Sequence, residues 1–437
     1  MKNKIALINP GKKKDFSISA PFNLGFLAAF LKKNNIQVEI IDELAGQNAE
    51  DLISKSNFSY IGITGTTPVI YDAYKLAEFI KKNTNSKIIL GGIHSSAMAE
   101  EALKYADIVV KNEGENALLN IIQNNISQGI IEGDYIKNID EIPSIPWDLI
   151  DIDFYLNSRI RLPNTHLSFA PENERVASLV TARGCVNSCI FCYNCWKKYP
   201  VRFNSVKRII HEIDYFIENF KIKYFYFADD DFFMNKKRIL DFCDFLIKNN
   251  YKLKWSCQSS VKSADIKILQ KAKESGCVQI GFGFESGSDR ILKLLKGDKF
   301  SIKENYDAIS NCNKIGIDVL GCFIIGTPGE TIEDIKKTAE FIIINKINQL
   351  GLFMATPFPG TKLFKLAKEN NLLPENFNWN MINTYNTSLK INKTFSEIEY
   401  DNIFNDLVEA HRLKKYSPIK KTWSLTKLKL KEMFIYN

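Results

Sequence analysis

Short apolar runs recur along the first part of the chain, each closing on a small or polar residue. Ile5–Asn9, Val38–Asp42, Tyr60–Thr64, Lys87–Gly91 and Ile108–Lys111 are rich in Ile and Val and predict strands. Between them, stretches such as Leu24–Lys33 and Tyr71–Lys82 repeat apolar positions at helical spacing. Alternation of this kind predicts a parallel sheet with helices on both faces, since strands covered on both sides read as continuous apolar runs. Residues 1–135 therefore read as a doubly wound, Rossmann-like α/β domain, in which ligands sit beyond the carboxyl ends of the strands. Residues 136–172 break the rhythm. Ile142-Pro143-Ser144-Ile145-Pro146-Trp147 and Leu162-Pro163-Asn164 read as linker, because proline lacks an N–H and holds its predecessor extended. A second alternating series follows over residues 173–372. Its strands are expected at Val176–Thr181, Tyr224–Ala228, Leu253–Cys257, Val278–Phe284, Val319–Ile325 and Leu350–Ala355. Helical patterns fill the gaps, at Val206–Asn219, Lys236–Lys248, Ser263–Ser275 and Ile332–Ile344. Six strand–helix units predict a partial (β/α)6 barrel with its chemistry at the strand C-termini. Residues 373–437 read as a helical, polar region, basic from Arg412 onward.

Composition narrows this picture only slightly. With 437 residues, 45% hydrophobic and 25% charged, the chain is an ordinary globular one of two to three domains at roughly 150 residues each. A net charge of +8 permits acidic partners and does not point to nucleic acid. No apolar run reaches the roughly 18–20 residues of a membrane span, so a cytoplasmic protein is expected. Nine cysteines, three of them within eight residues, then read as metal or redox chemistry rather than as disulfides.

The crowded cysteines lie in Thr181-Ala182-Arg183-Gly184-Cys185-Val186-Asn187-Ser188-Cys189-Ile190-Phe191-Cys192-Tyr193. Three thiolates at this spacing suit one face of a cuboidal iron–sulfur cluster and leave one iron without a protein ligand. A structural zinc site would need a fourth ligand, for which Cys195 is the nearest candidate. Two further segments end on barrel strands. Phe227-Ala228-Asp229-Asp230-Asp231 places three carboxylates together, and Gly281-Phe282-Gly283-Phe284-Glu285-Ser286 puts a carboxylate and a hydroxyl beyond two glycines. Adjacent carboxylates repel and need an offsetting partner, whereas glycine lets backbone approach a ligand closely.

The Cys-x3-Cys-x2-Cys loop after a first barrel strand, with Phe191 before its third cysteine, resembles the radical S-adenosylmethionine (SAM) superfamily. The resemblance implies a [4Fe–4S] cluster on Cys185, Cys189 and Cys192, with SAM chelated to the open iron and cleaved by one electron to a 5′-deoxyadenosyl radical. It implies catalytic roles for Asp229 and Asp230, facing SAM or the substrate, and cofactor-binding roles for Glu285, Ser286, Phe191 and Tyr193. The turn Gly326–Thr331 is expected to be mainly structural, and Thr356–Thr361 to shape the backbone and form one wall of the pocket.

The domain order resembles the cobalamin (B12)-binding subgroup of that superfamily. The matching residues are Pro21–Leu27, Gly62–Thr67, Leu90–His94 and Asn112-Glu113-Gly114-Glu115. Thr64, Thr66, Gly91 and Gly92 are then expected where the nucleotide tail of a corrin approaches. The Asp-x-His-x-x-Gly element, whose histidine ligates cobalt, is missing from the loop after the first strand, and His94 is only a weak substitute. By resemblance, the expected activity is methyl transfer to an unactivated carbon of a small molecule or peptide, fed by an external reductant of flavodoxin or ferredoxin type. A cyclase, rearrangement enzyme or epimerase of the same architecture is the alternative. For an epimerase, Cys257, Cys277, Cys312 or Cys322 would return a hydrogen atom. A non-catalytic iron–sulfur or corrin sensor is the alternative of another class.

Overall fold

A computed structural model describes residues 4–11, 19–158, 166–193, 199–382 and 389–413. The first sheet holds β1 (Lys4–Asn9), β2 (Gln37–Asp42), β3 (Tyr60–Thr64), β4 (Lys87–Gly91), β5 (Ile108–Asn112) and β6 (Gly129–Gly133). All pairings are parallel, in the order β2-β1-β3-β4-β5-β6. Ile5, Ala6, Leu7 and Ile8 are all buried, as the covered faces of a doubly wound sheet require. The strand order reverses between β1 and β3, which opens a crevice at their carboxyl ends. β6 has no counterpart in the apolar pattern. It is a five-residue edge strand bounded by glycines and mostly half-exposed, so burial imposes little hydrophobicity on it.

The second sheet holds β7 (Val176–Leu179), β10 (Tyr224–Phe227), β11 (Lys254–Ser259), β12 (Cys277–Glu285), β13 (Asp318–Ile325) and β14 (Gln349–Met354), each paired in parallel with the next. β7 and β14 are its edges, so the barrel is an open arc. Leu167 packs with Val176 and Tyr226 at one edge, while Ser168 hydrogen-bonds Gln349 at the other, so the stretch before β7 spans the gap. Between β7 and β10, β8 (Ala182–Arg183) and β9 (Arg202–Phe203) form a short antiparallel hairpin at the base of the cysteine loop.

The segment read as linker is folded into the core. Ile145, Trp147, Ile150, Phe154 and Tyr155 are buried in one hydrophobic cluster with Leu24 of the first domain and Phe216 of the second. Trp147 meets Phe22 at 6.2 Å and Phe216 at 5.2 Å, edge-on. The Tyr155 hydroxyl donates to Asp42 at the end of β2. The C-terminal helix Glu397–Leu413 packs on β14 and on the helix Ile332–Ile344. The basic residues Lys414, Lys415, Lys420, Lys421, Lys427, Lys429 and Lys431 lie outside the described residues. Among the described residues, no helix is long and apolar enough to cross a membrane.

Candidate active site

The cysteine loop leaves the hairpin through Gly184, whose φ of +99° is a left-handed conformation that suits glycine. Its far part is pinned to two helices: Ile190 N–H donates to Leu295 O and Leu363 N–H donates to Ile190 O, both at 2.8 Å. Cys192 N–H donates to Cys189 O at 3.3 Å, and Asn187 N–H to Cys185 Sγ at 3.4 Å. None of the described cysteines is in a disulfide. Burial raises the pKa of both Cys185 and Cys189; the Lys296 ammonium opposes this at Cys189, while Glu285 and Cys185 add to it. Phe191 packs into the apolar cluster that includes Phe358 and Phe364. Tyr193 packs closely on Gly360 of the turn after β14, where an added Cβ would sit 2.4 Å from the ring. Cys195 and Trp196 lie outside the described residues.

The three aspartates part company in the structure. Asp229 is buried, and its carboxylate accepts from Thr181 N–H and Thr181 Oγ1 at 2.5 Å and from Ala182 N–H at 3.0 Å, with Arg238 Nη2 at 3.4 Å. It therefore clamps the end of β7 and the start of the hairpin onto β10. Asp231 accepts from Ser259 Oγ at 2.6 Å and Ser263 Oγ at 3.2 Å. Asp230 alone opens onto a cavity, and burial, then Asp229 and Asp231, raise its pKa.

Glu285 closes β12 with a φ of +63°, uncommon for a residue with a side chain, at a register shift in the ladder. Its side chain folds back over Gly283, where a Cβ would lie 2.2 Å from Glu285 Oε1. Lys296, nearly buried, reaches in from the helix Asp289–Lys296; its ammonium donates to Gly283 O at 2.7 Å and lies 3.6 Å from Glu285 Oε1. Burial raises the Glu285 pKa and Lys296 opposes it. Ser286 is fully buried: its hydroxyl meets Thr338 Oγ1 at 3.3 Å and accepts from Ser288 N–H at 3.1 Å. It braces the turn rather than opening to solvent.

A cavity of about 510 Å³ joins the two halves. Its walls include Thr64, Thr66, Gly91 and Gly92 at the carboxyl ends of β3 and β4, and Val180, Arg183, Gly184, Tyr193 and Asp230 at the mouth of the barrel. That size falls within the range of small-molecule and cofactor sites. A Cβ on Gly91 would meet nothing nearer than 3.8 Å, so a side chain there would occupy the cavity itself; one on Gly92 would lie 2.7 Å from Thr64 Oγ1. His94 is turned away and fully buried, its Nδ1 3.1 Å from Thr67 Oγ1 and its ring edge-on to Trp379.

Comparison with known proteins matches residues 179–342 to the Radical SAM superfamily and residues 17–122 to the B12 binding domain. The chain is 31% identical over 406 residues to the uncharacterized methyltransferase PH0819 of Pyrococcus horikoshii, covering 86% of this chain and 84% of that one. The chain is a radical SAM enzyme of the cobalamin-binding subgroup. It is also 26% identical to an anaerobic magnesium-protoporphyrin IX monomethyl ester cyclase of Rubrivivax gelatinosus, over 79% of this chain and 66% of that one. Among solved structures, the cobalamin-dependent S-adenosylmethionine radical enzyme OxsB superposes with a TM-score of 0.75 at 16% identity, over 98% of this chain and 75% of that one. That likeness establishes a shared fold.

The residues present fit the subgroup's cofactors, a [4Fe–4S] cluster, SAM and cobalamin. Three thiols on one loop, with the buried Lys296 beside Cys189, suit an anionic cluster held at three corners. The cavity at the strand ends, floored by glycines, suits a large planar cofactor. Sequence reasoning missed Lys296, which reads locally as one more lysine of an amphipathic helix. It also missed the ion pairs of Arg183 and Arg202 with Glu113 and Glu115, although all but Arg202 lie in segments already singled out.

Proposed function

We propose that this radical SAM enzyme transfers a methyl group to an unactivated carbon of a small molecule or peptide, using an external one-electron reductant of flavodoxin or ferredoxin type. The observation that carries the reading is the single cavity shared by the B12-binding sheet and the barrel mouth. When bound, the subgroup's cofactors would supply a methyl donor and a hydrogen-abstracting radical. Cys185, Cys189 and Cys192 would hold the cluster, with Phe191 anchoring their loop in an apolar cluster and Tyr193 on the cavity wall. Glu285, fixed by Lys296 and bent over Gly283, faces the amino or ribose groups of SAM, and Ser286 braces the same turn. Thr64, Thr66, Gly91 and Gly92 receive the corrin tail. Leu7, Leu24, Leu27, Ile63, Ile89 and Val110 make much of the remaining wall apolar, which excludes water and stray hydrogen donors from a radical intermediate. Asp230 orients a protic group of the substrate, while Asp229 acts through Thr181 and Ala182 as a positioning residue.

The name of the Pyrococcus relative supports methyl transfer. The name of the Rubrivivax relative favours a second reading, oxidative ring closure without methyl transfer. The experiment is anaerobic reconstitution with iron, sulfide and hydroxocobalamin, followed by reduction with SAM and candidate substrates. Methyl transfer yields 5′-deoxyadenosine, S-adenosylhomocysteine and a product heavier by one methyl. A product without added carbon supports ring closure.

A further inference from the structure

The hairpin at the base of the cysteine loop sets Arg183 directly opposite Arg202. Like charges facing each other across a strand pair repel, so the hairpin needs an external counter-charge. Two carboxylates after β5 supply it, Glu113 in the loop and Glu115 at the start of the helix Glu115–Gln123. Arg183 Nη2 lies 2.6 Å from Glu115 Oε1 and Nη1 lies 3.4 Å from Glu113 Oε1, while Arg202 Nη2 lies 2.6 Å from the same Glu113 oxygen. Arg202 Nη1 also donates to Ile136 O, and Ile136 N–H donates to Glu113 Oε2, both at 2.8 Å. The side chains of Arg183, Arg202, Glu113 and Glu115 are 13, 4, 1 and 4% exposed. In so dry a setting, removing one partner leaves an uncompensated charge, which locks the geometry.

We infer that this network is a latch that couples occupation of the corrin cavity to occupation of the cluster site. Arg183, Gly184 and Cys185 are consecutive: an anchor in the B12-binding domain, a hinge at φ +99°, and the first cluster ligand. Glu113, Glu115, Arg183 and Gly184 all line the cavity. A cluster that fixes Cys185 thus fixes Arg183 and, through it, two carboxylates of the cavity wall. A cofactor seated in the cavity fixes the same carboxylates from the other side. Coupling of this kind is reciprocal.

The inference rests on both cofactor sites described above, and the test separates its failure from theirs. Hydroxocobalamin is titrated by absorbance into the anaerobic full-length protein, with and without the reconstituted cluster. The expected result is binding at least about fivefold tighter when the cluster is present. In Arg183→Gln that ratio falls to one. In Glu115→Gln, which spares both Glu113 pairs and so protects the fold, the ratio drops while binding persists. Reciprocally, hydroxocobalamin slows loss of cluster iron to a chelator in the wild type and not in Arg183→Gln. A merely structural Arg183 would lower affinity and thermal stability and leave the ratio intact. Equal affinities in the wild type, or a ratio that survives both substitutions, overturn the latch alone. Absence of any hydroxocobalamin binding overturns the latch together with the assignment of the cavity.

Discussion

Asp229 and Asp230 are adjacent in the chain and do different work, and substitution separates them. Asp229 is buried against Arg238 and accepts two backbone N–H groups, so Asp229→Asn leaves Arg238 with a buried, unpaired charge. The expected cost is about 3 kcal/mol or more, read as a fall in the urea midpoint. Asp230 carries no such partner and faces the cavity. Asp230→Asn removes a carboxylate that its two neighbours repel, so it is expected to keep or raise the midpoint and to lower turnover about a hundredfold, the scale of a lost orienting contact. Equal effects of the two substitutions on the midpoint would contradict this division. Gly283 offers a second test. An alanine there puts its Cβ 2.2 Å from Glu285 Oε1, so Gly283→Ala is expected to push Glu285 aside and cut 5′-deoxyadenosine formation about tenfold, one decade being roughly 1.4 kcal/mol. The far-UV circular dichroism is expected to stay the same. At this scale a spacing or a strand end singled out the cysteines, Asp230 and Glu285 as candidates in the sequence. Lys296 was not singled out, because what makes it special is a contact with Gly283, 13 positions away in sequence, and not its own surroundings in the chain.

The turn after β13 shows how an element can carry a titratable group at its own expense. Glu330 is fully buried and accepts from Gly326 N–H at 2.7 Å and Thr327 N–H at 3.2 Å, yet burial pushes its carboxyl up to about 8. Asp334 adds to the rise and Arg290 opposes it. A carboxyl with a folded pKa above its unfolded value holds its proton longer in the folded chain. Its contribution to stability is full below about pH 4.5 and is lost as pH rises toward 8, where only the unfolded chain has ionised. Glu330→Gln removes that loss. Thermal unfolding at pH 5 is expected to show little difference between the two proteins, and at pH 8 the glutamine variant is expected to melt a few degrees higher. A wild type that gains relative to Glu330→Gln between pH 5 and pH 8 would refute the assignment. The turn itself was legible from Gly326, Pro328 and Gly329, and so were eleven of the twelve strands of the two large sheets, because burial on both faces writes an apolar run. β6 and the two-residue strands β8 and β9 were not, since an edge strand or a short hairpin is held by its neighbours and carries no run of its own.

At the scale of the whole molecule, the segment that interrupts the apolar rhythm is what joins the two halves. Prolines 143 and 146 marked it as irregular, and irregular chain between two domains reads as linker. Trp147, however, is only 4% exposed and wedges between Phe22, on the first helix of the B12-binding domain, and Phe216, on the first long helix of the barrel. Ile145, Ile150 and Phe154 extend the same cluster, and Tyr155 ties it to Asp42. A shared core of this kind makes the two sheets unfold together, because neither can expose its face of the cluster without exposing the other's. The wild type is therefore expected to give one calorimetric transition. Trp147→Ala removes the wedge at a cost of about 3–5 kcal/mol, while the second apolar cluster around Trp379 and the Arg183 and Arg202 ion pairs still tie the halves together. Its transition is expected to fall in temperature and to stay single, because the cluster around Trp379 still couples the halves. Because those ion pairs are buried, raising the salt concentration is expected to move the transition little. Two transitions in the wild type would show that the cluster does not join the halves. A split transition in the variant would show that the Trp147 wedge, and not the cluster around Trp379, is what couples them.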